Sequence, residues 1–206
     1  MEKKAWRSTF QDGIWDIFFG LIFLGFGVAG LSPLFDFPEN LYFDLGTLII
    51  LIPWNTATVF ILYLGKKFIT IPRLGFVKFG TRRKKTRKVI IIFLIINVVF
   101  AFLLLILSII GTFNLIQLNP LLDSLIIGLL IITLPLSIFG FFLDFYRLIF
   151  YSLFAGLGFS LSELFYPITG EPFDIVASFS LIGFTIIIIG LIYLMKFFQK
   201  YPLSKN

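Results

Sequence analysis

Apolar residues along this chain come in long unbroken blocks, with neither strand-like alternation nor a one-sided helical stripe. A helix needs about 20 apolar residues to cross the hydrocarbon core of a bilayer. Six blocks meet or approach that length: Ile14–Leu31, Leu45–Leu64, Val89–Ile110, Ser124–Leu143, Leu148–Tyr166 and Ile175–Met195. The pattern predicts an all-α, polytopic transmembrane helix bundle of six spans. Residues 1–206 read as a single integral membrane domain, with 65–88 as a basic cytoplasmic loop.

Composition agrees. Hydrophobic residues make up 59% and charged residues 14% of the chain, where a soluble domain carries about 25% charged residues. The polar opening "MEKKAWRSTFQDG" precedes a span-length block with no small-x-small cleavage site, so it is not expected to be a signal peptide. Neither cysteine nor histidine occurs. Thiol chemistry, His-ligated haem, most zinc sites and imidazole general-base mechanisms are thereby excluded.

Charge then supplies orientation. With the N-terminus inside, all 17 Lys and Arg fall on one side: Lys3, Lys4, Arg7, the ten between Lys66 and Lys88, Arg147, Lys196, Lys200 and Lys205. The opposite connections hold Asp36, Glu39, Asp44, Asp123, Glu171 and Asp174. Basic residues accumulate on the cytoplasmic side, so both termini are expected in the cytoplasm of a prokaryote, with the chain in its plasma (inner) membrane.

The segment 66–88 contains no acid. It is first a topological anchor. It is also a candidate surface for anionic lipid or a protein partner, through Arg73, Lys78, Arg82, Arg83, Lys84, Lys85, Arg87 and Lys88. Each basic residue near an anionic leaflet contributes about 1 kcal/mol. Nucleic acid is not an expected partner, because no folded module or aromatic stacking platform accompanies the charge. In "FITIPRLGFVKFG" (68–80), Pro72 and Gly75 oppose a continuous helix. A short extended or hairpin element at the interface is expected there, with Phe76, Val77 and Phe79 in the headgroup boundary.

The acidic-Gly start of span one, "QDGIWDIFFG", followed by "IPRLGFVKF" after span two, resembles a group of uncharacterised prokaryotic multipass membrane proteins. The resemblance runs through the loop after span two. It implies no activity.

Two features bear on packing. At an offset of 130 residues, Ser32, Leu34, Phe35, Phe43, Asp44, Tyr63, Leu64, Lys66, Phe68 and Pro72 recur as Ser162, Leu164, Phe165, Phe173, Asp174, Tyr193, Leu194, Lys196, Phe198 and Pro202, so span pair 1–2 is a candidate repeat of span pair 5–6. Gly13, Gly20 and Gly27 share one face of span one, and Ser152, Gly156, Ser160 and Glu163 form a similar face on span five. Stripes of small residues let helices approach closely, so spans one and five are expected to pack together.

Candidate chemistry is sparse. Asp12 and Asp16 lie one turn apart at the start of span one, in reach of a cation or a shared proton, but capping of the helix and salt bridging to the 66–88 loop is the reading preferred for them. Asp144 and Arg147 make an i,i+3 pair. Asn55 and Asn97 lie about 14–15 Å from the basic ends at 1.5 Å per residue, with Thr133 and Thr185 at similar depth, and they either line a central site or bond between helices. Glu163, near the acidic end of span five, either reaches interfacial water or is buried and protonated. No catalytic, metal or cofactor motif is present: there is no P-loop, no dinucleotide glycine motif and no CDP-alcohol transferase pattern. The sequence therefore reads as a non-catalytic accessory or scaffold protein contacting anionic lipid or a partner, alone or as a homo-oligomer. The alternative is a small-solute or ion transporter using the mid-depth polar residues.

Overall fold

The computed structural model describes residues 10–34, 45–74 and 119–202. Among them all regular structure is helical, and five helical stretches are long and apolar enough to cross a membrane: Ile14–Leu34, Thr47–Leu74, Pro120–Phe142, Tyr146–Thr169 and Phe173–Lys200. The expected span at Val89–Ile110, with Asn97, lies outside the described residues, as do Lys78 and the basic cluster Arg82, Arg83, Lys84, Lys85, Arg87 and Lys88.

The chain divides into two compact units. The first contains α1 (Ile14–Ala29), α2 (Leu45–Gly65), α3 (Ile71–Leu74), the end of α6 (Tyr146–Thr169) from Leu161 on, and α7 (Phe173–Lys200). Here α1 is central. It packs antiparallel to α7 along its glycines and antiparallel to α2 along another face.

The α1–α7 contact is close because glycines on each helix leave room for the backbone and side chains of the other. A Cβ on Gly20 would lie 2.7 Å from Ile187 Cγ1 and 2.9 Å from the Gly183 carbonyl oxygen. A Cβ on Gly183 would lie 2.7 Å from the Leu24 nitrogen, and one on Gly190 2.8 Å from the Ile17 nitrogen. Gly27 meets Ser180 and Val176. The stripe expected to meet span five is thus filled by α7, whose own Gly183 and Gly190 repeat its seven-residue spacing. Between α1 and α2 the filler is Trp54: its indole covers Gly25, and its Nε1 donates to the Leu21 carbonyl at 2.8 Å.

The second helix does not stop at Leu64. It continues through a π-helical turn at Lys66–Thr70 into α3, so the first part of the expected extended element is helical as far as Leu74. The π turn explains why Pro72 does not end it. Proline lacks an N–H, and its ring collides with the carbonyl four residues back in a regular helix. Widening the preceding turn relieves both problems, and the Ile71 amide bonds instead to Lys66, five residues back. The same device recurs in the second unit. A π-helical turn at Gly128–Thr133 joins α4 (Pro120–Ile127) to α5 (Leu134–Phe142), and the Leu134 amide, just before Pro135, bonds to Leu129.

Within that second unit, α4 starts on Asn119, whose side chain accepts from the Leu121 amide at 3.3 Å. The backbone of Gly128 meets that of Gly156 on α6. Thr133 donates to the Ser152 carbonyl at 2.9 Å, and the Ser137 and Ser152 hydroxyls are 2.7 Å apart. The small-residue face of span five therefore serves the fourth span. A tight corner at Asp144 (φ 57°) turns the chain from α5 into α6.

Candidate functional site at the basic end of the first unit

Helix α1 begins at Gly13, whose positive φ of 77° suits glycine and lets the chain turn sharply into the helix. That turn buries Asp12 completely. Its Oδ1 accepts from the Ile14 amide at 3.1 Å, one of the helix's unsatisfied amides. Its Oδ2 accepts from Thr70 Oγ1 and Lys66 Nζ, each at 2.5 Å. Both donors lie on the π-helical turn, so the widened turn that admits Pro72 also supplies the partners of Asp12.

Asp16, one turn on, is fully buried as well. It lies beside Gly190 of α7, and its negative charge reaches Lys66. The first turn of a helix favours such carboxylates, because the helix dipole places positive charge there. The two aspartates thus flank one helix start, Asp12 turned to the second helix and Asp16 to the last. The segments "QDGIWD" and "KKFIT", far apart in sequence, meet at this cluster.

The cations of this end lie against aromatic rings. Lys66 Nζ lies 5.8 Å from the Trp15 ring centroid, Lys67 Nζ lies 5.7 Å from Tyr63 and 5.5 Å from Phe68, and the Arg73 guanidinium lies 4.6 Å from Phe198 of α7. Lys196 pairs with Tyr193 at 5.8 Å and Lys200 with Tyr201 at 5.5 Å. Cations within about 6 Å of a ring face are attracted by its quadrupole. Of the sequence's candidate contacts, Arg73 belongs to this rim; it also donates to the Ile69 carbonyl at 3.1 Å.

Of the mid-depth candidates, three lie among the described residues. Asn55 and Thr185 are both exposed and bond back to carbonyls one turn earlier on their own helices, Leu51 at 2.9 Å and Leu181 at 2.7 Å. Thr133 is used between helices inside the second unit. Glu163 is exposed on α6. The buried carboxylate near it is Asp174, read from sequence only as a loop acid. No group of three or more Asp or Glu suited to a metal ion occurs among the described residues.

Compared with protein-family models, with curated proteins and with solved structures, the chain matches none.

Proposed function

We propose that this chain is a non-catalytic scaffold or accessory protein of a prokaryotic plasma membrane, with six spans, both termini in the cytoplasm, and a basic inner surface that holds anionic lipid. One observation carries the reading: the buried charged groups of the basic end, Asp12 above all, are spent on joining helices, while the basic side chains around them sit in an aromatic rim. Aromatic residues and cations together mark the headgroup region of membrane proteins. In the sequence, seven further basic residues and no acid follow between Lys78 and Lys88, a polybasic segment of the kind that attracts anionic lipid.

The repeat of spans one–two as five–six is part of this proposal. Ser32 and Ser162, which the 130-residue offset pairs, each bond to the following helix, Ser32 to Thr47 at 2.8 Å and Ser162 to Asp174 at 2.6 Å, although the offset pairs Thr47 with Ala177 and not with Asp174. The transport reading has less support, since Asn55 and Thr185 each close a local bond on an exposed face.

The test is lipid retention. The full chain, purified from mixed phosphatidylglycerol and phosphatidylcholine micelles and examined by native mass spectrometry, should retain the anionic lipid preferentially. A variant with Arg82, Arg83, Lys84, Lys85, Arg87 and Lys88 replaced by Gln should lose most of that preference. Equal retention of both lipids by the unmodified chain would refute the lipid-binding surface.

A further inference from the structure

At the opposite end of α7 from the basic rim lies another buried carboxylate. Asp174 stands in the first turn of α7 and is 6% exposed. Its Oδ2 accepts from Ser162 Oγ of α6 at 2.6 Å, and its main-chain carbonyl accepts from the fully buried Ser178 hydroxyl. Its Oδ1 is buried with no hydrogen-bonding partner. No Lys or Arg among the described residues pairs with it, and the sequence has none between Arg147 and Lys196.

A buried carboxylate oxygen without a partner is costly. The helix dipole favours a negative charge in this turn, but that contribution is small beside the desolvation of a charge. A positive species on Oδ1 resolves the imbalance. One carboxylate and a serine hydroxyl supply oxygen donors and a single negative charge. That matches a monovalent hard cation, whereas calcium takes six to eight oxygens and usually several carboxylates. Glu171 and Glu163, both exposed, neighbour the site in sequence and raise the local cation concentration.

We propose that Asp174 and the Ser162 hydroxyl bind a monovalent alkali cation of the sodium class, joining the end of α6 to the start of α7. The site does not depend on the lipid surface proposed above.

The experiment measures thermal unfolding of the full chain in detergent, in sodium chloride and in N-methyl-D-glucamine chloride at equal ionic strength. Sodium should raise the midpoint saturably where the organic cation does not. Ser162→Ala should raise the sodium concentration for half effect by about tenfold, the order expected for losing one contact to a charged group. Asp174→Asn should abolish the sodium-specific rise, and Glu163→Gln should leave it in place. Equal midpoints in the two salts, or a sodium response retained by Asp174→Asn, would overturn the proposal; a proton or water then satisfies Oδ1. Equilibrium binding of radioactive sodium to the unmodified chain reads the site without any variant: one ion per chain is expected, and none would refute it.

Discussion

Lys66 Nζ lies 2.5 Å from Asp12 Oδ2, joining residues 54 apart in sequence across the ends of two antiparallel helices. The carboxylate is wholly buried while the lysine side chain is 19% exposed. The pair is therefore asymmetric, and loss of the lysine leaves the more costly orphan.

Removing one partner of a buried pair typically costs about 3–5 kcal/mol. Lys66→Met should destabilise the chain by about 3 kcal/mol, at the lower end because the ammonium is partly solvated. Adding Asp12→Asn to that variant should recover part of the loss, giving clear non-additivity in a double-mutant cycle. Thermal unfolding in detergent is the readout, and simple additivity would show that the two residues do not interact.

Gly20→Leu should damage the fold more than Leu21→Ala. A leucine at Gly20 meets the Gly183 backbone and Ile187 directly, and overpacking of this kind costs about 1–3 kcal/mol. Gly183→Leu should behave like Gly20→Leu, because the approach is reciprocal. Loss of folded yield and a lower unfolding midpoint are the signs; a neutral Gly20→Leu would mean the stripe faces lipid.

Trp54→Phe should cost about 0.5–1.5 kcal/mol, the usual net worth of one hydrogen bond, since it removes the donor to the Leu21 carbonyl but keeps a ring over Gly25. Trp54→Ala should cost more, because it also uncovers Gly25. Similar midpoints for the two variants would contradict this division.

Much of the architecture is legible in the sequence because lipid imposes it. A backbone without water must satisfy its own hydrogen bonds, so apolar blocks of span length become helices. The helix partners were harder to read. Gly183 and Gly190 carry the seven-residue spacing of the α1 stripe they meet, but by composition alone the Ser152/Gly156 face of span five fits that stripe as well. Pro72 was misleading for a local reason: a proline rule drawn from regular helices does not anticipate a widened turn before it. At the basic end, Asp12 and the basic stretch were both visible in sequence. That Lys66 and Thr70 are the particular donors depends on helix continuation past Leu64. Asp174 carried no signal, since an acid beside a turn ordinarily reads as solvated.

Topology offers an independent check. Reporter fusions after Lys88 and Asn206 should both read cytoplasmic, and one at Glu39 external, as the segregation of basic residues requires. A cytoplasmic reading at Glu39 would break the proposed six-span arrangement.

The most direct test of the scaffold reading uses the absence of native cysteine, which makes single-cysteine labelling unambiguous. In membranes holding the full chain, Ile186→Cys, at a position 0% exposed, and Thr185→Cys beside it on the outer face of α7, are treated with a charged methanethiosulfonate. Lys67→Cys, exposed at the basic end, serves as the reactive reference. A scaffold with a dry interior and a lipid-covered face predicts rapid labelling at 67 and essentially none at 185 or 186. Labelling at 185 or 186 at a rate near that of the reference would reveal a water-filled path at mid-depth and contradict the account in favour of transport.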